Sequence, residues 1–447
     1  MRLRNVSTSI GYRLSAAAFA AFAFAMGATA SVAPAAPADS PRQIDESRVR
    51  AAGIRKLESK RLTLYTDVPS SPAVDELPAV FDQAFPQWCA YFGVETGTHE
   101  SWRMTGYLIK EKLRFEAAGL IPADLPEFLN GYCRRHEFWL NDQTSDYYRR
   151  HLLLHEGTHG FMFTVLKGGG PPWYAEGMAE LLATHRWQRG RLQLNRFPAS
   201  AADVSKLGRI ELVQKDEAAG RGRTFAEVLA YDSHAHLKVE PYAWSWAAAA
   251  FLDNHPRYRD RFRELWRLAG DRDFNKRLAE KFAADGRQLV EEFQVFAADL
   301  DYGYDFSRTM IDFTRGKPLA GPAKITVAAD QGWQNSGLKL EAGKTYSLKA
   351  SGRYQVGKST KSWISEPSGV SIHYVHGKPL GLLLGAIRPD QVPGGESPFV
   401  TPIAIGEGTT LKPERTGTLY LRANVSSGHL NDAAGSLNVS LSESTGS

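Results

Sequence analysis

Cysteine is nearly missing: Cys89 and Cys133 are the only two in 447 residues. That excludes a scaffold stapled by several disulfides and leaves either one bridge or two free thiols, because a sequence carries no distance between them. Long apolar runs are also scarce. Beyond the N-terminal leader there is no stretch of about 18 consecutive apolar residues, which excludes a later membrane-spanning helix. The net charge is only +5, and Arg2, Arg4 and Arg13 stand in a leader with no acidic residue up to Ala30. Without that leader the chain is close to neutral, so its basic balance is no nucleic-acid footprint. A hydrophobic fraction of 43% and a charged fraction of 23% are ordinary for folded protein and exclude wholesale disorder. The length suffices for about two to three domains.

The leader itself has a positively charged start, an Ala/Phe-rich run over residues 14–26, and then Ala28-Thr29-Ala30, a small-x-small pattern. This order reads as a secretory signal cleaved after Ala30, so the protein is expected to be secreted or periplasmic. No Cys follows the small residues, which leaves no lipid attachment point. Residues 31–50, rich in Ala, Pro and Ser, read as a flexible spacer.

Ordered structure is expected from residues 62–66, an alternating strand, followed by a helix over 74–92 and a strand over 104–109. Residues 110–118 read as helix and 132–140 as extended chain. A core helix over 146–166 ends at Lys167-Gly168-Gly169-Gly170-Pro171-Pro172, where glycines permit left-handed caps and prolines cannot continue the ladder. A second helix is expected over 173–187. Residues 188–238 read as a hairpin strand at 191–194, mixed loops and a helix near 225–231, and further helices are expected over 241–253, 258–268 and 287–300. Composition changes at residues 314–322, read as a linker. Six short alternating runs separated by turn residues follow, at 325–327, 338–340, 346–350, 371–375, 419–422 and 437–440. They predict an all-β jelly-roll sandwich over 323–447. The fold class expected for the whole chain is α+β.

The chemistry concentrates in His155-Glu156-Gly157-Thr158-His159 and, after the breaker, Trp173-Tyr174-Ala175-Glu176-Gly177-Met178-Ala179-Glu180. Two histidines four apart lie about 40° apart around a helix axis, and neutral imidazoles suit Zn²⁺. Catalytic zinc takes three protein ligands and leaves one position open, and Glu176 on the second helix can be the third. Glu156 between the histidines would then be the general base that takes a proton from water.

These two segments resemble the gluzincin branch of zinc metallopeptidases, and more closely its small bacterial members. The resemblance implies a zincin-like peptidase domain over residues 51–313, with His155, His159 and Glu176 as zinc ligands and Glu156 as base in peptide hydrolysis. It implies that Glu180 orients the first histidine. The metzincin branch needs a histidine six residues after His159, where Val165 stands. Gluzincins also use a Tyr or His from a later helix to stabilise the oxyanion; Tyr242 is the preferred candidate, with Tyr231, His234 and His236 behind it. His151 and His185 read as surface or supporting histidines rather than ligands.

The segment 416–442 resembles the end of a small bacterial galactose-binding lectin sandwich. That resemblance implies a Ca²⁺ and carbohydrate site at Asn424, Asn431 and Asp432, where the identities differ from the family's Asp and Asn-Asn pair. Two functions follow as expectations. The first is an exported zinc peptidase acting on peptide or protein, with an accessory β-sandwich that can meet a glycan or cell surface. The second is a carbohydrate- or surface-binding protein on a peptidase-like scaffold without turnover.

Overall fold

The computed structural model describes residues 42–232, 238–390 and 396–444. The expected leader and the spacer up to residue 41 fall outside them, as do His234 and His236. The described part is a mixed α and β structure with several sheets and no barrel. Among the described residues no helix is long and apolar enough to cross a membrane.

Structure begins earlier than the expected spacer allows. Asp45 accepts hydrogen bonds from the Ser47 and Arg48 backbone amides and caps a helix over Glu46–Ala51. The first sheet comprises β1 (Arg55–Glu58), β2 (Leu62–Thr66), β3 (Met104–Ile109), β4 (Gly131–Arg134) and β5 (Glu137–Asn141), in the order β1-β2-β3-β5-β4. The expected extended chain over 132–140 is therefore a hairpin, which turns back at Arg135 with φ of 56°. β2, β3 and β5 run parallel, and β4 forms an antiparallel edge.

Side chains alternate across this sheet with the period of two that a strand imposes. Leu64, Leu108, Phe138 and Leu140 join the main core with the helix Leu77–Phe92 and the helix Asp146–Thr164. Tyr65, Tyr107, Ile109 and Trp139 point the other way and are covered by Val49 and Phe115. On that second face Tyr107 stacks on Tyr65 at 5.8 Å and on Trp139 at 5.2 Å. Coverage of both faces explains why every residue of β2 is buried.

The helix Asp146–Thr164 starts where Ser145 accepts from the Tyr148 amide at 3.2 Å. Gly157 inside it weakens the helix intrinsically but permits close packing: a Cβ there would lie 2.6 Å from Phe81 and 2.7 Å from Trp88. The following helix, Pro172–Ala183, is shorter than expected, because Arg186–Gln188 pairs with Arg191–Gln193 as a hairpin. Its Gly177 faces the helix Val239–Asn254 so closely that a Cβ would lie 2.7 Å from the Ser245 carbonyl oxygen. A helix at Arg209–Ala218 stands where mixed loops were expected, and another at Phe274–Lys281 stands where no element was expected.

The remaining chain forms two principal sheets that share one core. In the first, Leu383–Pro389, Gly417–Ala423 and Gln334–Leu340 are neighbours; in the second, Tyr346–Ser351, Ser436–Glu443 and Ala323–Ala328. Leu340, Leu383, Leu419 and Leu421 from one meet Val327, Leu348, Leu437 and Leu441 from the other. Within the expected linker, Lys317–Pro318 pairs in parallel with Leu338 and Lys339. A further apolar cluster joins Val295 and Ile311 to Trp333, Leu384, Phe399 and Tyr420. Arg388 Nε reaches Glu291 at 2.7 Å, and Arg422 pairs with Asp299. Cys89 and Cys133 are both free thiols.

Candidate metal and catalytic site

His155 and His159 project from one side of the helix Asp146–Thr164 and meet Glu176 from the helix Pro172–Ala183. Their Nε2 atoms are 3.1 Å apart. Glu176 Oε2 lies 3.3 Å from His155 Nε2 and 3.4 Å from His159 Nε2. Donors about 2.0–2.1 Å from a tetrahedral ion stand about 3.3–3.4 Å from one another, so the three atoms match three corners of such a site. Glu176 Oε2, which faces both imidazoles, is buried without a properly angled hydrogen bond, and a cation among the three donor atoms would satisfy it.

Electrostatics point the same way. Burial alone would lower the His155 imidazole, but contacts with Glu176 and Glu180 outweigh it and push the group up to about 10. Burial opposes ionisation of Glu176, yet His159 and His155 hold its carboxyl far below the usual range. A buried proton is thus held where an ion would supply the charge, and metal binding of this kind releases protons. The buried His-His-Glu group could hold a metal ion.

Glu156 is 5% exposed, and a Cβ on Gly131 of β4 would lie 2.4 Å from its Oε1. The bare glycine therefore leaves room for the carboxylate beside the edge strand. Burial pushes this carboxyl up, and His155 and His159 pull it part of the way back. A carboxylate raised in this manner is a better proton acceptor.

Glu180 sits behind the His155, His159 and Glu176 group, 2% exposed. Arg209 donates to both of its oxygens, at 2.9 Å and 2.8 Å, and His151 Nε2 lies 3.2 Å from Oε2. His155 Nδ1 is 3.3 Å from Oε1, an ion-pair contact whose angle falls short of a hydrogen bond. Burial opposes its charge, but Arg209 and His151 keep the carboxyl well below the ordinary range. His151, His155 and Glu180 form a second group with metal-ligating donors. Its carboxylate is already committed to Arg209 and all three residues are buried, so it supports the first group and offers no open position.

Tyr242 comes to the site from the helix Val239–Asn254. Its ring centroid is 5.9 Å from that of His155, and the Arg209 guanidinium lies 5.6 Å from the ring. Burial, reinforced by Glu176 and Glu156, raises the phenol so that it stays protonated. Tyr231 instead donates to Glu240 at 2.7 Å. His185 stacks on Tyr147 at 4.5 Å, and its Nδ1 lies 2.8 Å from the Ala183 carbonyl oxygen. Sequence reasoning missed Arg209: it belongs to an unrecognised helix and meets Glu180 from 29 positions away.

In the C-terminal part, Asn424 donates its amide nitrogen to the carbonyl oxygens of Val375, Lys378 and Pro379 at 3.1, 3.0 and 2.9 Å. Asn431 Oδ1 accepts from Arg308 at 3.4 Å, and Asp432 Oδ2 lies 3.6 Å from His429 Nδ1.

No family model matches the sequence, and no curated protein matches it. Among solved structures, the chain is similar to the EclA N-terminal domain, a PllA-like lectin, at 20% identity and a TM-score of 0.21. That match covers 28% of this chain and 98% of that one. It is similar to PliG of Aeromonas hydrophila, a periplasmic inhibitor of g-type lysozyme, at 12% identity and a TM-score of 0.18, over 30% of this chain and 97% of that one. It is similar also to the IMPa metallopeptidase from Pseudomonas aeruginosa at 11% identity and a TM-score of 0.17. This match covers 78% of this chain but 38% of that metallopeptidase. At these scores none of the three determines the fold or activity of this chain.

Proposed function

We propose that the protein is an exported zinc-dependent peptidase of gluzincin type. In this reading a zincin-like domain over residues 51–313 is followed by a linker at 314–322 and a jelly-roll sandwich from 323 onward. The observation that carries the proposal is the convergence of three donor atoms within 3.1–3.4 Å of one another, with the Glu156 carboxylate alongside.

His155, His159 and Glu176 are the residues that would hold the ion. Bound there, Zn²⁺ supplies Lewis-acid polarisation of the scissile carbonyl and acidifies water. Glu156 takes the proton from the attacking water and passes it to the departing amine. Glu180, anchored by Arg209, fixes the orientation of the His155 ring. Tyr242 donates its hydroxyl hydrogen to the developing oxyanion, which its burial keeps available at all working pH values.

We assign the C-terminal part a positioning role. Its loop is packed on the preceding region, with Ser426 Oγ donating to Asp301 at 2.6 Å and the Asp305 amide to the Ser427 carbonyl at 3.0 Å. The amide nitrogen of Asn424 is spent on carbonyl oxygens, and a Ca²⁺ or carbohydrate role for Asn424, Asn431 and Asp432 forms no part of this proposal.

The test is zinc content together with cleavage of a random peptide pool by the wild type and Glu156→Gln. The variant is expected to keep one zinc per chain and lose cleavage. Equal cleavage by both proteins would remove Glu156 from the mechanism. Binding without turnover in the wild type would favour the scaffold reading.

A further inference from the structure

Among the described residues, three exposed apolar side chains lie between positions 364 and 374: Ile364 at 44%, Ile372 at 76% and Tyr374 at 60%. They belong to two hairpins that stand apart from the two principal sheets of the C-terminal part. One pairs Tyr354–Lys358 with Ser362–Ser365, the other Val370–Val375 with Lys378–Leu380. In the second hairpin Val370 faces Leu380, but Tyr374 already faces Pro379. Ser371, Ile372 and His373 therefore have no partner across the ladder and are lifted out of it. All four residues from Ser371 to Tyr374 are exposed, whereas a strand lying on a core buries alternate side chains.

Contacts join the two hairpins and hold them in place. The Trp363 ring meets that of His373 at 4.3 Å, and a Cβ on Gly381 would lie 2.4 Å from Ser365 Oγ. The Trp363 indole donates to Ser359 Oγ at 3.2 Å, in the turn between Lys358 and Lys361. The turn of the second hairpin is pinned by Asn424, which donates to three of its carbonyl oxygens, and by His376, whose Nε2 lies 3.2 Å from Asp299 Oδ1. The exposed side chains are thus presented on a fixed frame. Charge on this frame is one-sided. Residues 352–380 carry Arg353, Lys358, Lys361 and Lys378 against Glu366 alone, a net of +3, and Glu366 already lies 3.7 Å from Arg353 Nε.

We propose that the two hairpins form a docking surface for an anionic lipid bilayer. Ile372 and Tyr374 enter the headgroup boundary, where a tyrosine keeps its ring among acyl chains and its hydroxyl in water. Lys358 and Lys361 meet the lipid phosphates. The excess of cations gives the surface its preference for negative charge, and the aliphatic Ile372 favours a bilayer over a sugar, whose hydroxyls it cannot serve. This surface is independent of the peptidase reading and would bring either an enzyme or a binding protein to a membrane.

The test is co-sedimentation of residues 31–447, the form expected after cleavage of the leader, with vesicles. One set contains phosphatidylglycerol and phosphatidylcholine in equal parts, the other phosphatidylcholine alone. Wild type should bind the anionic vesicles, bind the neutral ones about tenfold more weakly, and lose affinity as salt is raised. Ile372→Ser should lower partitioning about tenfold, and Lys358→Gln and Lys361→Gln about fivefold each. An unchanged Tm shows that a variant is folded, and the two lysine variants keep the test decisive should Ile372→Ser lower it. No vesicle binding, equal binding to both sets, or binding that a folded Ile372→Ser and both lysine variants leave unchanged overturns the proposal. Glycan-array binding lost in Trp363→Ala, or a dimer that Ile372→Ser dissolves, either of them without vesicle binding, overturns it in favour of a sugar or a second copy of the chain.

Discussion

Replacing Arg209 by methionine keeps much of the side chain's length and removes two charged hydrogen bonds to Glu180, at 2.9 Å and 2.8 Å. Water cannot take their place, because Glu180 is 2% and Arg209 7% exposed. Stranding one charge of a buried pair costs about 3–5 kcal/mol. His151 remains close to the carboxylate, at 3.2 Å, and its protonation offsets part of the loss, so the lower end, about 3 kcal/mol, is expected. The second consequence concerns metal. With Glu180 free to move, the His155 ring loses its fixed partner, and disturbances of this kind cost about 10- to 100-fold in metal affinity.

Urea denaturation in the presence of a chelator reads the stability change alone, and competition with a chromophoric chelator reads zinc affinity. The double variant Arg209→Met/Glu180→Gln removes both charges, so its loss should fall short of the sum of the single losses by at least about 1 kcal/mol. A loss below about 1 kcal/mol in Arg209→Met, with unchanged zinc affinity, would refute the view that Arg209 holds Glu180 and Glu180 holds His155.

Gly131→Ala brings a Cβ to 2.4 Å from Glu156 Oε1. It should retain zinc while cleavage falls about 100-fold, the scale set by a misplacement near 1 Å; full activity would show that the base has room to spare. Tyr242→Phe should lower kcat by about 10²- to 10³-fold with zinc content unchanged, and a wild-type kcat would exclude the phenol from oxyanion stabilisation. Glu217 gives a pH prediction away from the site. Burial, with Glu396 and Asp216 adding to it, pushes its carboxyl from 4.5 up to about 7. The folded state therefore holds the proton more tightly than the unfolded chain, and that contribution is complete below pH 4.5 and lost as pH rises through about 7. Glu217→Gln should consequently raise Tm, relative to wild type, more at pH 8 than at pH 5, and an equal shift at both would contradict it.

The convergence of His155, His159 and Glu176 was legible because its signal is local. A spacing of four on a helix, a breaker of glycines and prolines, and a carboxylate early in the next helix can all be read within one short stretch. Tyr242 could be named from its place near the start of an aromatic helix. Arg209 could not, since nothing in periodicity encodes a partner on another helix. The helix from Pro172 was drawn too long because its apolar pattern continues past Ala183, whereas pairing of Arg186–Gln188 with Arg191–Gln193 ends it. Leu383–Pro389 escaped notice for a different reason: its first four residues are all buried, so the alternation that reveals a strand is absent. The spacer was drawn too long because composition hides the Asp45 cap, which depends on one side chain meeting two amides.

The account's central claim is a metal held by His155, His159 and Glu176, and anomalous diffraction at the zinc absorption edge from zinc-loaded crystals tests it most directly. The account predicts one peak, about 2.0–2.2 Å from His155 Nε2, His159 Nε2 and the Glu176 carboxylate. A peak among His151, His155 and Glu180 instead, or no peak at either group, would contradict it.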